Sequence, residues 1–486
     1  MQFITAYTPN PRSIRIWLGI LLASRLIWLL LFTITRDDQL DAARMANGLY
    51  LTTRDTPMYY EPIESIIQSG RYTSICRMPG LMPIYLPIRA FASVEMTKQI
   101  IIVFQYLLDA FACLLLSIIA ARIYGSQKAF TYTAALISVS SFCVLRASFL
   151  LSESFCISFI IISVYCLIVF LDNQQKRYLI GAGIFLCWAI FLRQVCVLIV
   201  PIYAIVLFAA AGYNFKKSFM QAFMLFLPLA VALGAWTARN QISHGRPIVF
   251  VAPLNECMTQ ITPSYAAIRS FIVVTGKDFQ PWSIGDAAHW FTTQDPDRKL
   301  PLPYNADELT AVYTTDSLLA LKEDYHHIQT LPYPSAVHDS LQRSIIERTQ
   351  RYSDAYIQNY PFRYYVGNRI WFLTKLLFPT RIDDFPFPAF TSMNAVQKAL
   401  KASSLLLLWI VSAMSLLAFI YHALYGEWKT LLWMMIPLSM IIFQGWLGYI
   451  EQRFLATSYP FMVVFAAGLI YKLSSRLSKP LSVQQH

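Results

Sequence analysis

Apolar segments of roughly 20 residues recur from end to end of this 486-residue chain, and each is long enough to cross a ~30 Å hydrocarbon core as one helix. A helix that is apolar on every face needs apolar surroundings, which a soluble domain cannot supply to so many at once. Ten such segments can be placed, at about 16–34, 99–121, 129–147, 153–171, 178–193, 195–212, 219–238, 402–422, 430–448 and 454–471. Residues 178–212 also permit one long kinked helix in place of the fifth and sixth. Composition agrees, with 56% apolar and 14% charged residues against roughly 25% charged in soluble domains, and a mean hydropathy of +0.48. A soluble enzyme and a disordered chain are excluded. The expected class is an all-α polytopic membrane protein of about ten transmembrane helices.

Lys and Arg total 39 against 27 Asp and Glu, a net charge of +12, yet the bases form no run of the kind that binds nucleic acid. No nucleic-acid partner is expected. The bases lie between the apolar segments, and cytoplasmic loops are the ones enriched in Lys and Arg. With the N-terminus inside, the cytoplasmic pieces hold twelve: Arg12, Arg15, Arg122, Lys128, Lys176, Arg177, Lys216, Lys217, Lys429, Lys472, Arg476 and Lys479. The short outer loops hold three, Arg146, Arg193 and Arg453. Both termini are therefore expected in the cytoplasm. The first segment follows Arg12 and Arg15, exceeds a signal-peptide core in length and lacks a small-residue cleavage site, so it reads as a signal anchor. Six of the eight cysteines (113, 143, 156, 166, 187 and 196) lie in or beside spans, where they act as small apolar residues. Cys76 and Cys257 fall in outer loops, where an oxidising compartment permits a disulfide; the sequence leaves their pairing open.

These segments divide the chain into a seven-span module (1–238), a large polar loop (239–401) and a three-span module (402–486), with a further outer loop at 35–98. The loop at 35–98 contains an amphipathic helical stretch at 59–67, with apolar positions at helical spacing. The large loop reads as a mixed domain, with strands expected around 247–252, turns over 276–304, helices near 306–329 and 335–358, and an amphipathic helix after Pro361. No internal repeat is evident, so the inverted-repeat pattern of many secondary transporters is missing.

Ionisable residues at a membrane edge are costly unless they face a cavity or a partner. Asp55 stands in Arg54-Asp55-Thr56-Pro57-Met58-Tyr59-Tyr60, ahead of the amphipathic stretch. Such a carboxylate can accept a proton from a hydroxyl or cap the helix that follows, and both roles are open. Glu153 opens the fourth span, where it can orient an arginine or the acceptor, or serve the helix dipole. Asp109 and Arg25 lie within spans and read as a structural pair. His326, His327 and His338 lack the ligand spacing of a metal site, and neither metal nor other cofactor is expected.

Asp-x3-Tyr (Asp55, Tyr59), then Gly70-Arg71-Tyr72, then Arg77-Met78-Pro79-Gly80 follow a first span. This order resembles the GT-C superfamily of membrane glycosyltransferases, the protein O-mannosyltransferase and aminoarabinose transferase type in particular. The likeness continues in Leu151-Ser152-Glu153, in Leu192-Arg193, in Ala235-Trp236-Thr237-Ala238-Arg239-Asn240, in Asn359-Tyr360-Pro361 and in Glu451-Gln452-Arg453-Phe454. The resemblance implies a GT-C-like bundle and a polyprenyl-phosphate sugar as donor. It further implies a lipid, glycan or protein acceptor on the outer face, and inversion at the anomeric carbon. It assigns the base to Asp55, with Asp38 in reserve because some 20 residues containing Asp37, Asp38 and Asp41 separate the first span from Asp55.

Arg77, Arg193, Arg239 and Arg453 are the expected phosphate ligands, since a guanidinium fork matches phosphate oxygens and stays charged; each can equally be a snorkelling interfacial arginine. Tyr59, Tyr60, Glu61, Glu153, Trp236 and Glu451 are expected to orient the substrate, Tyr59, Tyr60 and Trp236 by stacking on a sugar or prenyl chain. A ligase or polymerase using a polyprenyl-diphosphate glycan, and a flippase without chemistry, are the competing readings. The absence of any Asn-x-Ser/Thr sequon points to a bacterial inner membrane and its cell envelope, with the loops periplasmic or extracellular.

Overall fold

A computed structural model describes residues 7–36, 46–53, 55–252, 254–257, 262–277, 286–295, 300–333, 335–380, 382, 385, 387–388, 390–448 and 451–477. Asp38, with Asp37 and Asp41, lies outside the described residues. The chain forms two units: Met1–Val251 with Leu377–Met440 and Gln452–His486, and Ala252–Leu376 with Ile441–Glu451.

Among the described residues, six of the ten expected spans are single helices of 20 to 31 residues: Pro11–Thr35, Val94–Tyr124, Glu153–Asn173, Phe215–His244, Ala395–Leu424 and Trp428–Leu447. The protein is an integral, multi-pass, all-α membrane protein. The fifth and sixth spans are two separate helices. Lys176–Leu192 stops at Arg193, whose backbone is extended (φ −148°, ψ 111°), and a 3-10 turn, Gln194–Leu198, leads into Ile199–Ala210. The 17 residues of the fifth helix reach about 26 Å, slightly less than a hydrocarbon core. Tyr459–Leu477 forms the tenth and packs on the eighth, third and second.

The third span departs from the continuous helix expected over 129–147. It is broken at Ser140 into Gln127–Val139 and 141–148, bent by 55°. The break leaves carbonyls without helical partners, which is tolerable inside a bilayer only where other groups bond them. The first helix supplies those groups. Ser24 Oγ donates to the Ser138 carbonyl at 2.5 Å, Trp28 Nε1 to the same oxygen at 3.3 Å, and Arg25 Nη1 to the Ile137 carbonyl at 3.1 Å. Arg25 Nε also meets Asp109 Oδ2 at 2.7 Å, with the two side chains 2% and 5% exposed. The pairing read from the sequence is therefore present. One buried guanidinium neutralises a buried carboxylate on the second helix and bonds the broken third.

The second unit is helical, and this corrects the expected mixed domain. Residues 247–252 form no strand. Their backbone bonds instead with side chains of the seventh helix: Asn240 Nδ2 donates to the Ile248 carbonyl and Trp236 Nε1 to the Phe250 carbonyl, each at 2.8 Å. A β-branched run forms no strand where other donors take its carbonyls. The helices Pro263–Val274, Asp286–Thr292, Thr315–Thr330 and Ala336–Asn359 enclose Phe271, Phe291, Tyr313 and Tyr356. After Pro361 the expected helix begins as a π-turn, Arg363–Gly367, and continues as Asn368–Leu377. Glu308 is buried at the edge of this core, where Lys277 Nζ reaches it at 2.8 Å and Arg363 Nη2 at 2.5 Å. Among the described residues, Cys113, Cys143, Cys156, Cys166, Cys187 and Cys196 are free thiols.

Asp109→Asn is expected to cost about 3–5 kcal/mol, because it leaves the Arg25 charge buried alone. The double replacement Arg25→Met with Asp109→Leu should recover much of that loss. Thermal unfolding of the purified protein in detergent measures both.

Candidate functional site

The first loop folds back onto the membrane helices through three attachments. A two-residue hairpin pairs Ala46–Asn47 with Tyr50–Leu51, and Leu150 N donates to the Leu51 carbonyl at 3.0 Å, laying the hairpin beside the start of the fourth helix. The amphipathic stretch forms Thr56–Ser69, burying Tyr59, Tyr60 and Ile63. The Arg-Met-Pro-Gly segment then ends at Gly80, which lies against the last turn of the fifth helix. A Cβ on Gly80 would stand 2.6 Å from the Phe191 carbonyl group and 2.7 Å from the Leu192 nitrogen, so only glycine permits this approach. Trp188 Nε1 donates to the Gly80 carbonyl at 2.8 Å and completes the attachment.

Asp55 occupies the N-cap position of Thr56–Ser69 but makes no capping hydrogen bond. Its carboxylate accepts instead from Arg453 Nη1, at 2.6 Å from Oδ2, across 398 residues of sequence. The Asp55 side chain is 16% exposed and that of Arg453 24%. Burial opposes ionisation of Asp55, but Arg453, then Arg77 and Arg193, outweigh it and hold its carboxyl below the usual carboxylate range.

Arg193, placed by the break between the fifth and sixth helices, pairs with Glu153 at the head of the fourth. Its guanidinium lies 5.4 Å from the Phe454 ring centroid, and that of Arg453 lies at the same distance. Arg77 lies 4.8 Å over the Tyr59 ring. Tyr60 is buried edge-on against Tyr85 at 5.3 Å. Several enclosed polar atoms here have no hydrogen-bond partner: Tyr60 Oη, Arg77 Nε, Ser152 Oγ, Glu153 Oε2 and Arg193 Nε. Buried polar atoms are ordinarily bonded, so such a group is equipped to receive polar ligand atoms.

Asp55, Tyr59, Tyr60, Arg77, Glu153, Arg193 and Arg453 are thus brought together from the first loop, the fourth and fifth helices and the segment before the tenth. Arg239 and Trp236 are not among them. Arg239 donates through Nη2 to the Tyr72 carbonyl and through Nη1 to the Ser74 carbonyl at 3.3 Å, and it lies over the rings of Tyr72 and Trp236 at 5.6 and 5.2 Å. It braces the loop whose next turn carries Arg77, since Tyr72 Oη donates to the Arg77 carbonyl at 2.9 Å. Glu61 is exposed on the outer side of its helix. Glu451 is half-buried and falls in the second unit.

Phe454, flanked by two arginines, and Gly80 were legible only as motif letters, because neither ring placement nor close approach can be read from spacing. Among the described residues no cluster of three or more His, Cys, Asp or Glu side chains is placed to hold a metal ion.

Residues 81–236 match the family described as dolichyl-phosphate-mannose-protein mannosyltransferase. This bears out the GT-C resemblance read from the motifs, over a segment that contains Glu153, Arg193 and Trp236 and begins just after Gly80. No curated protein matches the chain. Among solved structures, the chain is similar to the archaeal oligosaccharyltransferase AglB from Archaeoglobus fulgidus in complex with an inhibitory peptide and a dolichol-phosphate. That likeness has 13% identity, a TM-score of 0.48, and covers 94% of this chain and 50% of that one. The apo form of an Archaeoglobus fulgidus oligosaccharyltransferase is similar at 13% identity and a TM-score of 0.44, covering 95% and 51%. The chain spans about half the length of these solved structures.

Two outcomes test this geometry. Gly80→Ala is expected to push the first loop off the fifth helix, so that trypsin cleaves after Arg71 and Arg77 at least tenfold faster, by roughly the weight of a displaced contact. Because Asp55 has a depressed pKa in the folded protein, its pairing stabilises the fold above about pH 4, the unfolded carboxylate value. That contribution is lost as pH falls through the lower folded value. The stability deficit of Asp55→Asn should therefore be full at pH 7 and fade under strong acid, as read by denaturation across pH.

Proposed function

We propose that this protein is an inverting glycosyltransferase. It moves a sugar from a polyprenyl-phosphate donor to a lipid, glycan or protein acceptor, on the outer face of a bacterial inner membrane. The observation that carries this reading is one ionised aspartate surrounded by three arginines that come from separate parts of the chain. An acceptor hydroxyl attacks the anomeric carbon and its proton passes to Asp55. The bond between that carbon and the phosphate oxygen breaks, and the electron pair leaves with the polyprenyl phosphate. The departing phosphate gains negative charge, which guanidinium groups in a water-poor site stabilise strongly.

The Asp55–Arg453 pair gives this scheme an order of events. Paired with Arg453, Asp55 is a weak base. A donor phosphate competes for Arg453, and once it does so the carboxylate becomes more basic while the donor is bound. Arg193 is held by Glu153, so it serves as the fixed phosphate ligand and Arg453 as the exchangeable one. The large loop, 239–401, is assigned to the acceptor.

Purified protein given a panel of short-chain polyprenyl-phosphate sugars should release polyprenyl phosphate. Asp55→Asn should lower the rate by about 10²–10⁴-fold, the usual weight of a general base, with donor binding retained. Arg193→Ala should weaken donor binding as well. Release that survives in Asp55→Asn would move the base elsewhere, with Asp38 next. Passage of a labelled lipid-linked sugar across liposomes without release would replace the enzyme with a flippase.

A further inference from the structure

The chain between the broken third helix and the fourth is buried throughout residues 145–152. Residues 149–152 form no helix and make one isolated β-bridge, between Phe149 and Leu51. Irregular backbone enclosed in a membrane bundle persists only where other groups bond its carbonyls. Gln105 on the second helix supplies two of those bonds. Its Nε2 donates to the Ala147 carbonyl at 3.0 Å and to the Phe149 carbonyl at 3.1 Å, using both amide hydrogens. The neighbouring Tyr106 adds a third attachment, its hydroxyl 2.6 Å from Ser148 Oγ. Gln105 is fully buried, and its Oε1 has no partner among the described residues. A methionine in its place would carry no orphaned acceptor, so what the carboxamide contributes is the pair of donations.

The clamped segment reaches the candidate site in two directions. Leu150 N donates to the Leu51 carbonyl at 3.0 Å, and Phe149 bridges Leu51, so the first loop is held four residues before Asp55. Thr53 Oγ1 accepts from Asp55 N at 3.2 Å and Thr56 Oγ1 from Thr53 N at 2.9 Å, which makes the intervening chain a bonded turn. In the other direction the segment runs directly into Glu153, the partner of Arg193. A displacement of about 1 Å here would misplace both the base and a phosphate ligand, an error of the size that costs a reaction about 10²-fold.

We propose that Gln105 is a positioning residue: by clamping the Ala147 and Phe149 carbonyls it sets where Asp55 meets Arg453 and where Glu153 meets Arg193. Its weight in catalysis rests on the glycosyltransferase reading, whereas its effect on the Asp55–Arg453 pair does not.

A double-mutant cycle on the whole protein in detergent tests this. Gln105→Met removes both donations with little change in volume, and Asp55→Asn removes the ion pair. In the Gln105→Met background, the stability loss caused by Asp55→Asn at pH 7 should fall to about half or less of its ordinary value, because sites that are not coupled simply add. An equal loss in both backgrounds means that Gln105 only stabilises the bundle, and overturns the proposal. Ser163→Ala, which removes a bond to the Ala182 carbonyl between the fourth and fifth helices, controls for general loosening; a loss that shrinks as much in that background also overturns it. Gln105→Glu, with at most one donor for the two carbonyls, is the gentler variant and should shrink the loss in the same direction by less. With a donor that is turned over, Gln105→Met should lower kcat for polyprenyl-phosphate release about 10²-fold, and an unchanged kcat would remove the catalytic role. Coupling to Asp55 without release from any donor leaves Gln105 positioning the ion pair and counts against the glycosyltransferase reading alone.

Discussion

A carboxylate withdrawn from water remains charged only if cations compensate the hydration it has lost. The site is arranged around that constraint. Asp55 retains its charge because Arg453, Arg77 and Arg193 surround it, and these come from the segment before the tenth helix, from the first loop and from the gap between the fifth and sixth helices. Each must be delivered to one place by a different structural device. The membrane bundle, the break at Arg193 and the loop attachments can all be understood as those devices.

The same rule operates away from the site. Arg25 neutralises Asp109 and bonds a carbonyl freed by the kink in the third helix, so a charge that would be prohibitive alone compensates two defects at once. Trp236, Arg239 and Asn240 act comparably at the end of the seventh helix. They saturate the backbone of two irregular segments, 72–74 and 248–250, which lets those segments keep conformations that no helix or sheet would stabilise. Arg239, expected as a phosphate ligand, bonds the Tyr72 and Ser74 carbonyls, and Tyr72 in turn bonds the Arg77 carbonyl.

Much of this was legible in the chain. The ten apolar segments announced their helices because hydrophobic length is a local property, set against a bilayer of known thickness. The pairing of Arg25 with Asp109 was legible for a similar reason, since lone charges within apolar segments require partners. The segment 247–252 was misread as strand because its β-branched residues fit a sheet, while the donors that replaced a sheet lie on a neighbouring helix. The third span was misread as continuous because the donors that satisfy its break belong to the first helix.

The sequence alone determined that this is a multi-pass helical membrane protein, that the first loop carries the ionisable residues worth attention, and that its motifs follow a GT-C order. These are properties of composition, period and order along the chain. Tertiary structure alone decided that Asp55 is an ion-paired carboxylate and not a helix cap, that Arg239 bonds the first loop's backbone, and that the guanidinium groups of Arg193 and Arg453 both lie near the Phe454 ring. The physical reason is distance along the chain. A cap needs only the next three residues, whereas the charge state and role of Asp55 depend on a guanidinium 398 positions away, and no local pattern encodes that meeting.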